Sequence, residues 1–133
     1  MSLTTLRVRF AETDQMGVAH HSSYVLWCEV ARVDWLNQLG TSYKAFELET
    51  GISLAVSGLR LDYRQGVSFD DEIRIETRLV EAKSRRIVFD YLLSHEANVV
   101  ARAQTVHTPS SRLGQAVRMP QAYLELMAEH LNR

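Results

Sequence analysis

A chain of 133 residues, 46% of them hydrophobic and 23% charged, is long enough to bury one real core and reads as a single globular domain over 1–133. Fifteen Lys and Arg against sixteen Asp and Glu leave a net charge of −1, so there is no basic field to hold nucleic acid. The one cysteine, Cys28, excludes an internal disulfide, and no apolar run is long enough for a signal peptide or a membrane span, so the expected location is the cytoplasm.

Leu6 to Phe10 alternates apolar with basic residues and predicts a short half-buried strand. Ala11 to Ser23 has no steady period, contains Gly17 and reads as a loop, with Ser22 or Ser23 placed to cap the next helix. That helix runs to about Leu39 and stops at Gly40. Between Tyr24 and Leu36 only Glu29, Arg32 and Asp34 are charged, so it belongs inside the protein. Ser42 to Thr50 is a further helical turn or two, ended by Gly51.

The period then changes to two. Ile52, Leu54 and Val56 share one face, but after Gly58 the apolar set shifts to Leu59, Leu61 and Tyr63, so a bulge is expected at Gly58. Glu72 to Leu79 alternates cleanly, Lys83 to Arg86 is a polar turn, and Ile87–Ser94 and Val99–Thr108 are strands around a turn at 96–98. Pro120 opens a last helix with Tyr123, Leu126, Met127 and His130 on one side. Strands joined by short turns imply an antiparallel sheet, and a long apolar helix needs that sheet to curl around it: an α+β domain.

Chemistry concentrates between Phe10 and Arg32. An acid, Asp14, sits in the turn-rich segment closed by Gly17, just ahead of a buried helix. A helix start offers unpaired N–H groups and positive potential, which suits an oxygen that gains negative charge during a reaction. Taken alone, Asp14 reads better as a loop-capping aspartate than as a catalytic group. Glu29 and Arg32, three apart, are expected to pair and fix the helix. Cys28 reads as core, and so do Trp27, Trp35, Phe46 and Tyr63 unless they line an aromatic pocket.

The pattern Thr13-Asp14, Gly17, His21, Tyr24, Glu29, Arg32 resembles the signature of hotdog-fold acyl-CoA thioesterases. The nearest subgroup is the 4-hydroxybenzoyl-CoA thioesterase type, which includes the Tol–Pal-associated thioesterase. The resemblance covers essentially the whole chain and implies a five-stranded antiparallel sheet wrapped around a long central helix, plus a C-terminal helix. It makes Asp14 the catalytic carboxylate, as nucleophile or as base for water, with Thr13 and Gly17 shaping its turn. It puts the thioester oxygen on the backbone N–H of His21. The His21 side chain either orients the acid or satisfies polar groups at the helix start. Tyr24 is expected to pack at the site, and Gly58 to line its opposing side. Where relatives often carry an aromatic residue, this chain has His20.

Coenzyme A brings phosphates, and the cluster Lys83, Ser84, Arg85, Arg86 is the best candidate to meet them, ahead of Arg60 and Arg64. No cofactor beyond the coenzyme A of the substrate is implied. No metal is expected, because adjacent His20 and His21 diverge and nothing else lies at ligand spacing. Relatives form homo-oligomers, dimers or tetramers, joined sheet edge to sheet edge with the sites at the interface. The alternatives are an acyl-thioester hydratase or dehydratase and a non-catalytic acyl-CoA-binding protein. The absence of proline between Asp14 and His21 argues against the first, the complete acid-plus-helix pattern against the second.

Overall fold

A computed structural model describes residues 1–133. Five antiparallel strands, β1 (Ser2–Arg7), β2 (Ser53–Tyr63), β3 (Glu72–Lys83), β4 (Arg86–His95) and β5 (Asn98–Ser110), lie in the order β1-β3-β4-β5-β2. The long helix α1 (Ser23–Leu36) packs on the inner face, followed by α2 (Tyr43–Thr50), and α3 (Gln121–Ala128) closes the chain. This is the hotdog fold that the motif implied.

The helix and sheet share one core. Trp27, Cys28, Ala31 and Trp35 of α1 are buried against Ile73, Ile75, Leu79, Phe89, Leu93 and Val100, and the Trp35 ring meets Phe89 edge-on at 5.1 Å. Each large apolar side chain buried this way contributes about 1.5–3 kcal/mol. The outward face of α1 is not covered: Leu26 and Val30 stay half-exposed, so the expectation of a helix buried on nearly every side fails within one protomer. Strand β2 forms an open edge, and its Val56, Leu59 and Tyr63 are also half-exposed.

The bulge expected in β2 is there. Its register against β5 slips between Val56 and Gly58, and a Cβ on Gly58 would lie 3.3 Å from Val106 Cβ, so a side chain there presses on the neighbouring strand. The helix α2 starts at Ser42, whose hydroxyl accepts the Ala45 N–H at 3.0 Å, and ends at Gly51 with φ +70°. Three boundaries differ from expectation. Strand β1 begins at Ser2 and stops at Arg7, because its inward residues are Ser2 and Thr4; Thr4 donates to Asp34 Oδ2 of α1 at 2.6 Å. Residues Phe10–Glu12 form a 3-10 turn instead of strand, and Phe10 is exposed. The helix α1 ends at Leu36 rather than Leu39. No helix is long and apolar enough to cross a membrane.

Candidate active site

The chain between the 3-10 turn and α1 folds back on itself. Thr13 and Ala19 form an antiparallel bridge, the Asp14 N–H donates to Val18 O at 2.8 Å, and the Gly17 N–H donates to Asp14 O at 3.0 Å. Gly17 takes φ +82°, a backbone angle that favours glycine. Thr13 Oγ1 donates to Phe10 O at 2.7 Å, so this side chain shapes the turn. The loop is pinned to the segment between β2 and β3 by Ala19 N–H to Val67 O at 2.7 Å and by a bridge between Val18 and Ser68.

Asp14 sits exposed at the tip of this loop. Its Oδ1 accepts the Met16 N–H at 2.8 Å, the Asx-turn geometry of a loop-capping aspartate. The other carboxylate oxygen takes no hydrogen bond in the chain.

The helix start lies at the other end of the same loop. Its backbone N–H groups at His21 and Tyr24 have no acceptor within the chain, as befits the first turn of a helix. Ser22 precedes the helix, but its hydroxyl does not cap it. The cap is His20 instead: the Ser22 N–H donates to His20 Nδ1 at 3.1 Å, which leaves the neutral ring's proton on Nε2. The exposed His21 ring stacks on His20, centroids 4.0 Å apart. The His21 carbonyl accepts from Tyr63 OH at 3.0 Å, which ties the helix start to the open edge strand. Tyr24 is buried between Trp27, at 4.8 Å, and Tyr63, at 5.0 Å. Burial and the neighbouring Tyr63 raise its phenol pKa, so this ring packs and does not titrate.

No pattern in the chain marks Glu12, whose side chain is sealed at 6% exposure. Its carboxylate accepts the Arg9 N–H at 2.7 Å, the Arg9 guanidinium at 3.2 Å and the Trp27 indole N–H at 3.0 Å. Burial works to raise its pKa, but these donors outweigh that and hold it below the ordinary value.

One further expectation is corrected. Glu29 and Arg32 do not pair: Glu29 is exposed, while Arg32 turns inward to the Tyr91 hydroxyl at 3.3 Å. Trp27, Trp35 and Phe46 are core; of the four aromatics considered for a pocket only Tyr63 is accessible. Cys28 is fully buried and its thiol is pushed up to about 12, so it is no nucleophile. Neither Gly58, midway along β2, nor the Lys83–Arg86 turn joins the Asp14 loop within one protomer. That loop is fastened beside Val67 and Ser68, just ahead of β3, whereas the cluster lies at the far end of β3. Twelve strand residues span roughly 35–40 Å. In that turn Glu81 holds Arg86 at 2.6 Å and Lys83 at 3.4 Å, while Arg85 has no ion-pair partner. Ser84 O accepts the Met119 N–H at 2.7 Å, which pins the hairpin to the C-terminal segment.

A model of the thioesterase-like superfamily matches residues 8–127. A Haemophilus influenzae protein named acyl-CoA thioesterase YbgC is 29% identical over 98 residues, 74% of this chain and 72% of that protein. Among solved structures, the Thermus thermophilus protein TT1821 is 35% identical, with a TM-score of 0.92 over 98% of this chain and 99% of that one. A Staphylococcus aureus DHNA-CoA thioesterase is 27% identical, with a TM-score of 0.90 over 96% of this chain and 89% of that one. The match spans the Asp14 loop, the helix start and every strand after β1, and on it the chain belongs to the thioesterase-like superfamily.

Proposed function

We propose that this chain hydrolyses acyl-CoA thioesters to the free acid and coenzyme A, with Asp14 as the catalytic carboxylate. The observation that carries the reading is the pairing of an exposed carboxylate with free helix N–H groups at the two ends of one short loop. The carboxylate attacks the thioester carbonyl, or takes a proton from a water that does so. Negative charge moves to the carbonyl oxygen, where the N–H groups of His21 and Tyr24 stabilise it. One such donor is worth about 3–4 kcal/mol in the transition state. The C–S bond then breaks and the thiol leaves as coenzyme A. If Asp14 attacks directly, water cleaves the resulting anhydride and regenerates the carboxylate. Thr13 and Gly17 hold the turn; no metal and no separate cofactor takes part.

The site is completed by a second copy. An open β2 edge with half-exposed Val56, Leu59 and Tyr63, beside the uncovered Leu26 and Val30 of α1, supports pairing of two sheets edge to edge. Antiparallel pairing of two β2 strands brings Gly58 of each copy towards the other. It also turns the partner's β3–β4 hairpin towards this copy's Asp14 end, so Lys83, Ser84, Arg85 and Arg86 meet the coenzyme A phosphates from the opposite protomer. Two such dimers associate further into a tetramer. The compartment implied is the cytoplasm.

The test is release of coenzyme A from benzoyl, short-chain and long-chain CoA esters, followed with a thiol reagent. Asp14→Asn keeps the acceptor for Met16 and removes the charge. Turnover is expected to fall about 10²–10⁴-fold with substrate still bound. Unchanged turnover in that variant would falsify the role of Asp14, and binding without turnover on every ester makes the chain an acyl-CoA-binding protein instead.

A further inference from the structure

Glu12 stands two residues before Asp14, and its oxygens are fully engaged. The side chain takes two donors from Arg9 and one from the Trp27 indole; the backbone carbonyl takes the His20 N–H at 2.8 Å and the Ser23 hydroxyl at 2.9 Å. Residues 13–19 form a closed loop, bridged at Thr13 and Ala19 and crossed by Asp14 N–H to Val18 O. Glu12 and His20 flank that loop and are bonded to each other. The first two turns of α1 are bonded to Glu12 as well, through Ser23 and Trp27. One buried residue therefore joins the loop that presents the acid to the helix whose N–H groups are free.

A carboxylate does not enter a protein interior without full satisfaction by donors. A plain structural carboxylate could draw those donors from anywhere. Here they come from Arg9 on the entering chain and Trp27 on the helix, the two bodies whose spacing sets the gap between Asp14 and the His21 and Tyr24 N–H groups. We propose that Glu12 is a positioning residue for thioester cleavage: it fixes the Asp14 loop against the first turns of α1. This rests on the reading of Asp14 given above. Glu12 touches no reacting atom and acts through the loop and the helix alone.

Glu12→Gln keeps the shape but points an amide N–H2 at donors, against either the Trp27 indole or Arg9. Trp27→Phe keeps an aromatic ring, smaller than the indole, and removes one donor. For Glu12→Gln, kcat on the best CoA ester of the panel should fall by roughly 10²-fold, the effect of about 1 Å of misplacement, with KM changed by no more than about twofold. Trp27→Phe should lower kcat in the same direction, and the double variant should be no worse than Glu12→Gln. The two tryptophans give two indole N–H resonances in a nitrogen-15 spectrum, and Trp35 Nε1, which has no partner, serves as the reference. Only the Trp27 resonance should move in Glu12→Gln.

Leu79→Ala is the control, because it loosens the core away from this loop. If it lowers kcat as much as Glu12→Gln at an equal loss of Tm, Glu12 is merely structural and the proposal falls. If Glu12→Gln fails to fold, Trp27→Phe decides alone, and unchanged kcat there overturns the proposal. Turnover lost in Asp14→Asn but kept in Glu12→Gln overturns the proposal and spares the reading of Asp14. Turnover kept in Asp14→Asn overturns both.

Discussion

At the head of α1, His20 and His21 lie exposed and stacked, and the N–H groups beside them have no acceptor. Beneath the middle of the same helix, His107 of β5 is fully buried, and every polar group around it is answered. Its Nδ1 faces the carbonyl of Leu54 at 3.1 Å, so that nitrogen carries the proton. Its Nε2 then accepts from Thr105 at 2.8 Å, Thr105 accepts from Tyr91 at 2.6 Å, and Tyr91 accepts from Arg32. Burial, with Arg32 nearby, pushes the His107 pKa down to about 4. One region leaves donors and acceptors open; the other closes each of them. A polar cluster becomes a candidate for chemistry where its geometry is held but its valences are unfilled.

The contrast can be tested from either side. The largest effect belongs to the open end: Asp14→Asn should lose about 3–5 kcal/mol of transition-state stabilisation, read as kcat/KM, with Tm nearly unchanged. The closed region should answer to pH. His107 has a folded pKa near 4 against 6.5 for the ordinary side chain, so the unfolded chain binds its proton first. Stability is full above about pH 6.5 and should be lost as the pH falls towards 4, by roughly 3 kcal/mol from this group. Urea melts at pH 7 and pH 4.5 measure it, and His107→Gln should flatten the difference. Tyr91→Phe removes the middle of the chain and strands Arg32; it should cost about 1–3 kcal/mol in urea stability while leaving kcat alone. A large kcat loss there would mean that the two regions are not separate. A smaller effect is expected at Arg85→Ala, which should raise KM for CoA esters roughly fivefold, about 1 kcal/mol, with truncated thioesters unaffected. Arg86→Ala should do less, because Glu81 already holds that guanidinium.

The parts of the fold that could be read from sequence are those whose signal is local. The apolar run of α1, the parity slip at Gly58 and the two-residue hairpin at Ser84-Arg85 each announce themselves within a few positions. Strand β1 does not, since Ser2 and Thr4 face inward and Thr4 finds its partner thirty positions away in Asp34. Arg32 misled for the same reason: Glu29 lies one helical turn away, but Tyr91, 59 positions on, takes the guanidinium. At the site, Asp14 and Gly17 were legible because turn chemistry and motif coincide. Glu12 was not, because an acidic residue in a loop reads as solvated until Trp27 is seen to close over it. The basic turn was legible as a cluster, but its distance from Asp14 depends on the direction of β3, which no spacing reveals.

Tyr63 lies on β2, an edge strand with a single neighbour inside the protomer, and grips the carbonyl of His21. Fraying of that border strand thus reaches the first helical turn before it reaches the interior. Gentle warming or dilute urea should therefore blunt catalysis while far-ultraviolet dichroism still reports an intact sheet.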